Sequence, residues 1–439
     1  MIRRQLNTAL AVACGVHALL AVVSAENWPQ YRGPQGNGTS SDGIAPWPAP
    51  GPKPLWKTQL PAGFSSITIA DGRAYTLVAR EIEGVNREVC LSVDSATGKE
   101  LWATPLGIAK YDGGGDSGTP ENKGGDGPRS TPTVDGGRVY VLDNRLVLFC
   151  LGSQDGKVIW SKDLVKEHDG KLISWQNAAS PLIEGNVVCV AGGGPGQALL
   201  GINKTDGKVI WKREDDKMTH ATPVAATILG VRQVIFFTQK GLASVVPQTG
   251  EVLWRYRFPY NVSSAASPVV WNDLVYCSAG YNVGSGAVRI TSQNGGFSAE
   301  EVWRVKGNTL ANHWSTPVCK DGYLYGVFGF KQYGTAPLKC VEIATGKELW
   351  SQPNFGAGNV ILIGNHLVAL GDQGQVALVE PSPAGYREVS RFQAISGKCW
   401  STPSYSNGKL FIRSTKEGAC YQTAAVNTAT RGQKAGGLQ

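Results

Sequence analysis

Short apolar runs alternate with turn residues along almost the whole chain. The stretch 132–160 is typical: Pro132-Thr133-Val134, a turn at Asp135-Gly136-Gly137, Arg138–Leu142, Leu146–Leu151, a turn at Gln154-Asp155-Gly156, and Lys157–Trp160. Short apolar runs bounded by Asp-Gly and Gly-Gly pairs predict strands joined by tight hairpins, because glycine accepts positive φ. The stretch therefore predicts four antiparallel strands.

The pattern repeats. A phrase of small or acidic residues, Gly, Lys or Glu, two apolar-biased residues and Trp ends at Trp102, Trp160, Trp211, Trp254 and Trp350, with a looser copy at Glu301-Val302-Trp303. Leu55-Trp56 keeps only its end, and Arg391-Phe392 replaces the indole in the last unit. Successive tryptophans of the series are 43 to 58 residues apart. A second phrase, a small residue, Ser or Thr and then Pro, leads into a strand at Pro132, Pro181, Pro223, Pro268, Pro317 and Pro403. Proline is tolerated at a strand's first residue, where its missing N–H is needed least. Asn359 and Ile67 hold the corresponding position in the two units without the proline. Units of roughly 40–50 residues with four strands each predict blades of a β-propeller.

Eight units can be counted. Seven are complete, starting near Ser65, Ser130, Ser180, Thr222, Ser267, Thr316 and Asn359; the eighth, from Ser401 to about Tyr421, has room for only three strands. Pro54–Leu60, with its isolated Trp56, supplies the fourth. The expected fold is all-β: a single eight-bladed propeller over 54–423, its last blade closed by the N-terminal strand so that both chain ends are tied into one sheet. Residues 26–53 are then an extension and 424–439 a polar tail. The repeated indoles are expected to pin each blade to its neighbour, since one buried Trp covers about 150–250 Å².

Composition narrows the function classes. Fifty-six glycines and 24 prolines with 17% charged residues argue against a helical bundle. A net charge of +8 without a basic run gives no signal for nucleic acid. Arg3 and Arg4, the apolar Ala9–Val23 and the small Val23-Ser24-Ala25 form an export signal with cleavage expected before Glu26. The mature chain, without a membrane span, is expected outside the cytoplasm, periplasmic or secreted. Eight cysteines remain beyond Cys14; no two are adjacent, no CxxC occurs, and buried free thiols are expected.

The Gly-Lys-x-x-Trp phrase resembles the repeat of pyrroloquinoline-quinone-type (PQQ-type) propellers, a superfamily that includes quinoprotein dehydrogenases and the outer-membrane assembly lipoprotein BamB. The likeness covers about residues 54–422. Trp28-Pro29-Gln30-Tyr31-Arg32-Gly33-Pro34 looks like the N-terminal motif of a group of exported bacterial PQQ-like propellers. The resemblance implies the fold and an extracytoplasmic location, with PQQ and calcium as the cofactors of its enzymatic branch. The chain departs from that branch: it lacks the adjacent cysteine pair that closes over the quinone, and no motif places a calcium or a catalytic Asp.

A site is expected where loops enter the innermost strands at one channel mouth. The position three residues before the second phrase's Pro gives Phe64, Arg129, Ala178, His220, Ala265, Trp314, Gly356 and Trp400. Trp175, Asn177, His313 and Lys398 lie beside them. The candidate ligand site is Phe64, Arg129, Trp175, Asn177, His220, His313, Trp314, Lys398 and Trp400. Trp314 or Trp400 would stack a planar ligand while Arg129, with Lys398 or a histidine, holds an anionic group; otherwise the same side chains plug the mouth by packing on one another. The Gly-rich stretch Tyr111–Pro128, with Asp112, Asp116, Glu121 and Asp126, reads as a loop over that mouth where carboxylates can collect calcium, though without the pattern of a calcium loop. Gly329–Pro337 reads as a further surface loop. No hydrolase, Walker or dinucleotide motif stands out. The expected function is a non-catalytic binding or scaffold propeller for a protein, an envelope component or a small anionic ligand. The alternatives are a PQQ-dependent alcohol or sugar dehydrogenase and, on His220 and His313 alone, a hydrolase or lyase.

Overall fold

The computed structural model describes residues 27–111 and 127–423. The export signal, the acidic loop and the C-terminal tail lie outside these residues. Eight four-stranded antiparallel sheets follow one another around a central channel. Blades 1 to 7 span 68–108, 133–163, 182–213, 224–257, 269–305, 318–352 and 359–393. Blade 8 combines 404–422 with Pro54–Gln59, which pairs antiparallel to Glu417–Gln422 with Trp56 opposite Cys420. Ring closure by the N-terminal strand is thus as the repeat count predicts. Among the described residues the one α-helix is Leu164–His168, and no helix is long and apolar enough to cross a membrane. All eight thiols in the described residues are free, seven of them buried.

The first phrase couples Gly and Trp because the two meet across a blade boundary. The Trp56, Trp102, Trp160, Trp211 and Trp303 indoles lie against Gly98, Gly156, Gly207, Gly250 and Gly346 of the following blade. Most of the indole N–H groups donate into that neighbour's turn, as in Trp102 Nε1 to the Ser153 carbonyl at 3.0 Å and Trp211 Nε1 to the Pro247 carbonyl at 2.8 Å. Blade 5 lacks the Gly-Lys turn. Trp254 accordingly donates within its own blade, to Gln233 Oε1 at 2.6 Å.

The second phrase builds a belt of hydroxyls around the channel. Thr402 N donates to Ser66 Oγ at 3.0 Å, Ser66 N to Thr131 Oγ1 at 3.0 Å, Thr131 N to Ser180 Oγ at 2.9 Å and Ser180 N to Thr222 Oγ1 at 2.9 Å. Ser267 N repeats the bond to Thr316 Oγ1 at 3.0 Å. Each hydroxyl satisfies an amide just ahead of the innermost strand of the preceding blade, which would otherwise be buried without a partner. The prolines stand one residue ahead of their strands, so no ladder bond is lost.

The extension folds back across the channel. Trp28 exchanges two backbone hydrogen bonds with Ile69 in blade 1, and the Pro29 carbonyl accepts Val134 N of blade 2 at 2.7 Å. Three residues later Arg32, 2% exposed, donates to the Thr316 and Pro317 carbonyls of blade 6 at 2.6 and 2.7 Å. Thr39–Ser40 then adds a fifth, parallel strand to blade 7 along Asn359–Ile363. Blades 2 and 6 face each other in an eight-bladed ring, so residues 29–32 bridge the far end of the channel. Among the described residues Arg32 has no carboxylate partner; its charge is solvated by carbonyls, and burial pulls its pKa down to about 10.

Candidate functional site

With one end strapped, the channel is a blind cup of about 160 Å³. Tyr31 of the strap lines its interior with Ser66, Ser180, Thr222 and Thr402 of the hydroxyl belt. Every position of the predicted ring except Gly356 lines it. The exception has a reason. Asp372 presses against Gly356, so a Cβ there would meet its carboxylate at 2.0 Å. With no side chain from blade 7, Trp314 of blade 6 reaches Trp400 of blade 8, their ring centres 4.5 Å apart and 30° from parallel.

Trp400 is thereby heavily engaged. It also stacks with Phe64 at 4.7 Å and Tyr333 at 5.5 Å, and the Lys398 ammonium lies 4.8 Å from its ring centre. A planar ligand would have to displace one of these rings to stack on Trp400. Lys398 is outside the cavity lining. Asn177 is outside it as well. Its amide donates to the Leu142, Asp143 and Ala179 carbonyls, and its Oδ1 accepts Ala179 N at 2.9 Å. A fully buried amide spent on four backbone partners braces the loop and offers nothing to a ligand.

Tyr281, Lys331 and Tyr333 line the cup although the repeat does not point to them. Lys331 and Tyr333 come from the insertion Gly329–Pro337, expected as an ordinary surface loop. The repeat spacing did not signal it, since Trp303 and Trp350 on either side of it are 47 residues apart, as in the other units. The Lys331 ammonium lies 5.0 Å from the Tyr281 ring centre, and Trp175 stacks on Tyr281 at 6.3 Å. All three residues have positive φ: Trp175 63°, Tyr281 56° and Lys331 56°. Bulky side chains pay about 1–3 kcal/mol each for such backbone, and strain of this kind gathers at functional sites.

Arg129 and Lys331 are cations of the lining, and among the described residues no Asp or Glu lines it. The Arg129 guanidinium donates to the Trp175 carbonyl and lies 4.9 Å from the Tyr111 ring centre. His220 Nε2 donates to the Ser174 carbonyl at 2.9 Å, and Ser263 Oγ donates to Nδ1 at 2.9 Å. Burial, then the Arg129 charge, drops the His220 pKa to about 4. Burial also drops His313 to about 3, with His220 and Lys331 adding to it. Both rings are neutral at pH 7.

Repeats, ring closure and cup together define a PQQ-like eight-bladed β-propeller. The family profile described as outer membrane protein assembly factor BamB matches residues 85–327, more than half of the chain, and the chain belongs to that family. The BamB of Moranella endobia (strain PCIT) is 23% identical over 285 residues, 64% of this chain and 57% of that protein. The chain therefore spans little more than half the length of this relative. The solved BamB of Moraxella catarrhalis superposes with a TM-score of 0.59 at 14% identity, covering 87% of this chain and 99% of the other. The quinohemoprotein alcohol dehydrogenase of Comamonas testosteroni gives 0.63 at 12% identity, covering 94% and 82%. At these identities the two structures share the fold with this chain.

The described residues do not fit a PQQ–calcium pair. A cavity of similar size, about 150 Å³, holds one benzene ring, whereas PQQ is a tricyclic tricarboxylate. The lining supplies no carboxylate for a hard cation, and no cysteines are adjacent.

Proposed function

We propose that this chain is a non-catalytic binding propeller working outside the cytoplasm, and that it docks a protein or envelope component through a group inserted into the strapped cup. One observation carries the reading: Trp175, Tyr281 and Lys331, three bulky residues with left-handed backbone, all line the strapped channel's cavity. The cost of holding them there is recovered if they meet a partner. Membership in the BamB family supports an envelope role, since the relatives' name is that of an outer membrane protein assembly factor. The basic and apolar start of the chain supports export.

The test is site-specific photo-crosslinking in intact cells. A photoreactive residue at Tyr333, on the mouth, should give a discrete adduct. The same residue at Leu229, exposed on a blade-4 turn at the strapped side, should give none. Adducts from Leu229 alone, or from neither position, would overturn the proposal. So would alcohol oxidation by the purified chain that requires added PQQ and calcium.

A further inference from the structure

The cup offers hydrogen-bond donors to an incoming group. Ser66 Oγ, Ser180 Oγ and Thr222 Oγ1 each accept one backbone amide from the neighbouring blade. A hydroxyl that accepts one bond still has a proton to donate. None of these three hydroxyls donates to an acceptor among the described residues, and all three line the cavity. Higher in the cup stand Arg129 from blade 2 and Lys331 from blade 6, approaching from opposite sides. The two histidines add no charge at neutral pH. Aromatic walls from Phe64, Trp175, Tyr281 and Trp314 complete the cavity. Donors and cations within apolar walls suit an anion that carries an apolar or ring-shaped body. The volume of about 160 Å³ limits that body to a single ring or a short chain.

We infer that the cup takes one compact carboxylate, presented either as a small organic acid or as the acidic side chain of a docked protein. The inference rests on the proposed binding role of the mouth and names the chemistry that enters it. Inorganic phosphate, with no body to bury against the rings, is disfavoured.

Calorimetric titration of the full chain tests it with four organic probes in two pairs and one inorganic probe. Galacturonate is set against galactose, and N-acetylglutamate amide against N-acetylglutamine amide; inorganic phosphate is the fifth. At least one acid should bind about tenfold or more tightly than its neutral counterpart, and more tightly than phosphate, as expected for a charge-assisted bond. Galacturonate binding alone identifies a free acid; N-acetylglutamate amide binding alone identifies a protein side chain; binding of both leaves the shared carboxylate chemistry supported. Lys331→Gln, on an exposed loop, should weaken the acid by about tenfold and leave the melting temperature unchanged. Equal binding of acid and neutral probe, tighter binding of phosphate, no binding of either acid at millimolar concentration, or an unaltered affinity in the variant would overturn the inference. If adducts form at Tyr333 while both acids fail to bind, the carboxylate inference falls and the docking role stands. If an acid binds but no adduct forms, docking falls instead.

Discussion

The Trp102 indole lies so close over Gly156 that a Cβ on that glycine would meet the ring at 2.6 Å. Gly156 also has a φ of 70°. Backbone and packing thus both demand glycine. Gly72, with a φ of 75° and nothing within 4 Å of its would-be Cβ, has the backbone demand alone. Gly72→Ala should cost about 1 kcal/mol, the price of left-handed backbone. Gly156→Ala should cost about 2–4 kcal/mol, because the displaced indole also loses buried contact and its bond to the Ser153 carbonyl. Urea denaturation of both variants measures the difference; equal losses would mean that the ring moves aside freely and does not pin the blades.

The hydroxyl belt makes a separate claim on stability. Thr131 is buried, and its Oγ1 is the acceptor of Ser66 N. Thr131→Val keeps the shape and leaves that amide unpaired. The expected loss is about 1–3 kcal/mol, the desolvation cost of one buried donor. Hydrogen exchange at Ser66 should accelerate more than at other blade-1 amides. A neutral substitution would mean that water takes over the bond.

Periodic features were legible in the sequence because the same contact is made in blade after blade. The Gly-Trp coupling, the blade count, the closing strand at Pro54 and the ring from Phe64 to Trp400 all follow from repeated geometry. Features made once were not legible. Tyr281, Lys331 and Tyr333 reach the cup through loops that have no counterpart in other blades. Tyr31 arrives with a strap whose course depends on Arg32 finding two carbonyls almost three hundred residues away. Asn177 has the composition of a ligand contact, but its neighbouring carbonyls claim it, and sequence does not report where carbonyls point. Trp400 could be read from sequence either as a stacking face or as part of a plug; which ring packs on it depends on the missing side chain at Gly356, which lets Trp314 reach it.

Stability should also depend on pH through Glu88. Glu88 is 1% exposed and accepts the Tyr111 hydroxyl and Asn144 N. Burial, then the nearby Asp143, pushes its pKa up to about 8; burial raises Asp143 as well. A carboxyl with a raised folded pKa binds more protons folded than unfolded, from its ordinary value of 4.5 up to about 8. Stability from this group is therefore full below that window and declines as pH rises through it. Glu88→Gln removes the titration. Its melting temperature should fall less than the parent's between about pH 5 and about pH 8. Parallel pH profiles would show that Glu88 keeps an ordinary pKa.

The strap can be separated from the blades. Arg32 donates three hydrogen bonds to carbonyls, those of Asn37, Thr316 and Pro317. A Cβ at Gly38 would meet its guanidinium at 2.7 Å, so the side chain is packed tightly as well as bonded. Arg32→Met keeps an apolar stem of similar reach and removes all three donors, leaving two blade-6 carbonyls without their partner. The expected loss is about 2–4 kcal/mol, concentrated at the channel floor. Amides that bond to the strap, Ile69, Val134, Leu362 and Gly364, should exchange faster. Amides of Val234–Phe237, in the interior of blade 4, should not. The cup should also change function: with its floor loosened, Tyr31 no longer closes the cavity, and an acid bound there should weaken although no mouth residue has been altered. Uniform acceleration across all blades would mean that the strap is part of one cooperative unit, and that the floor of the cup cannot be opened without unfolding the propeller.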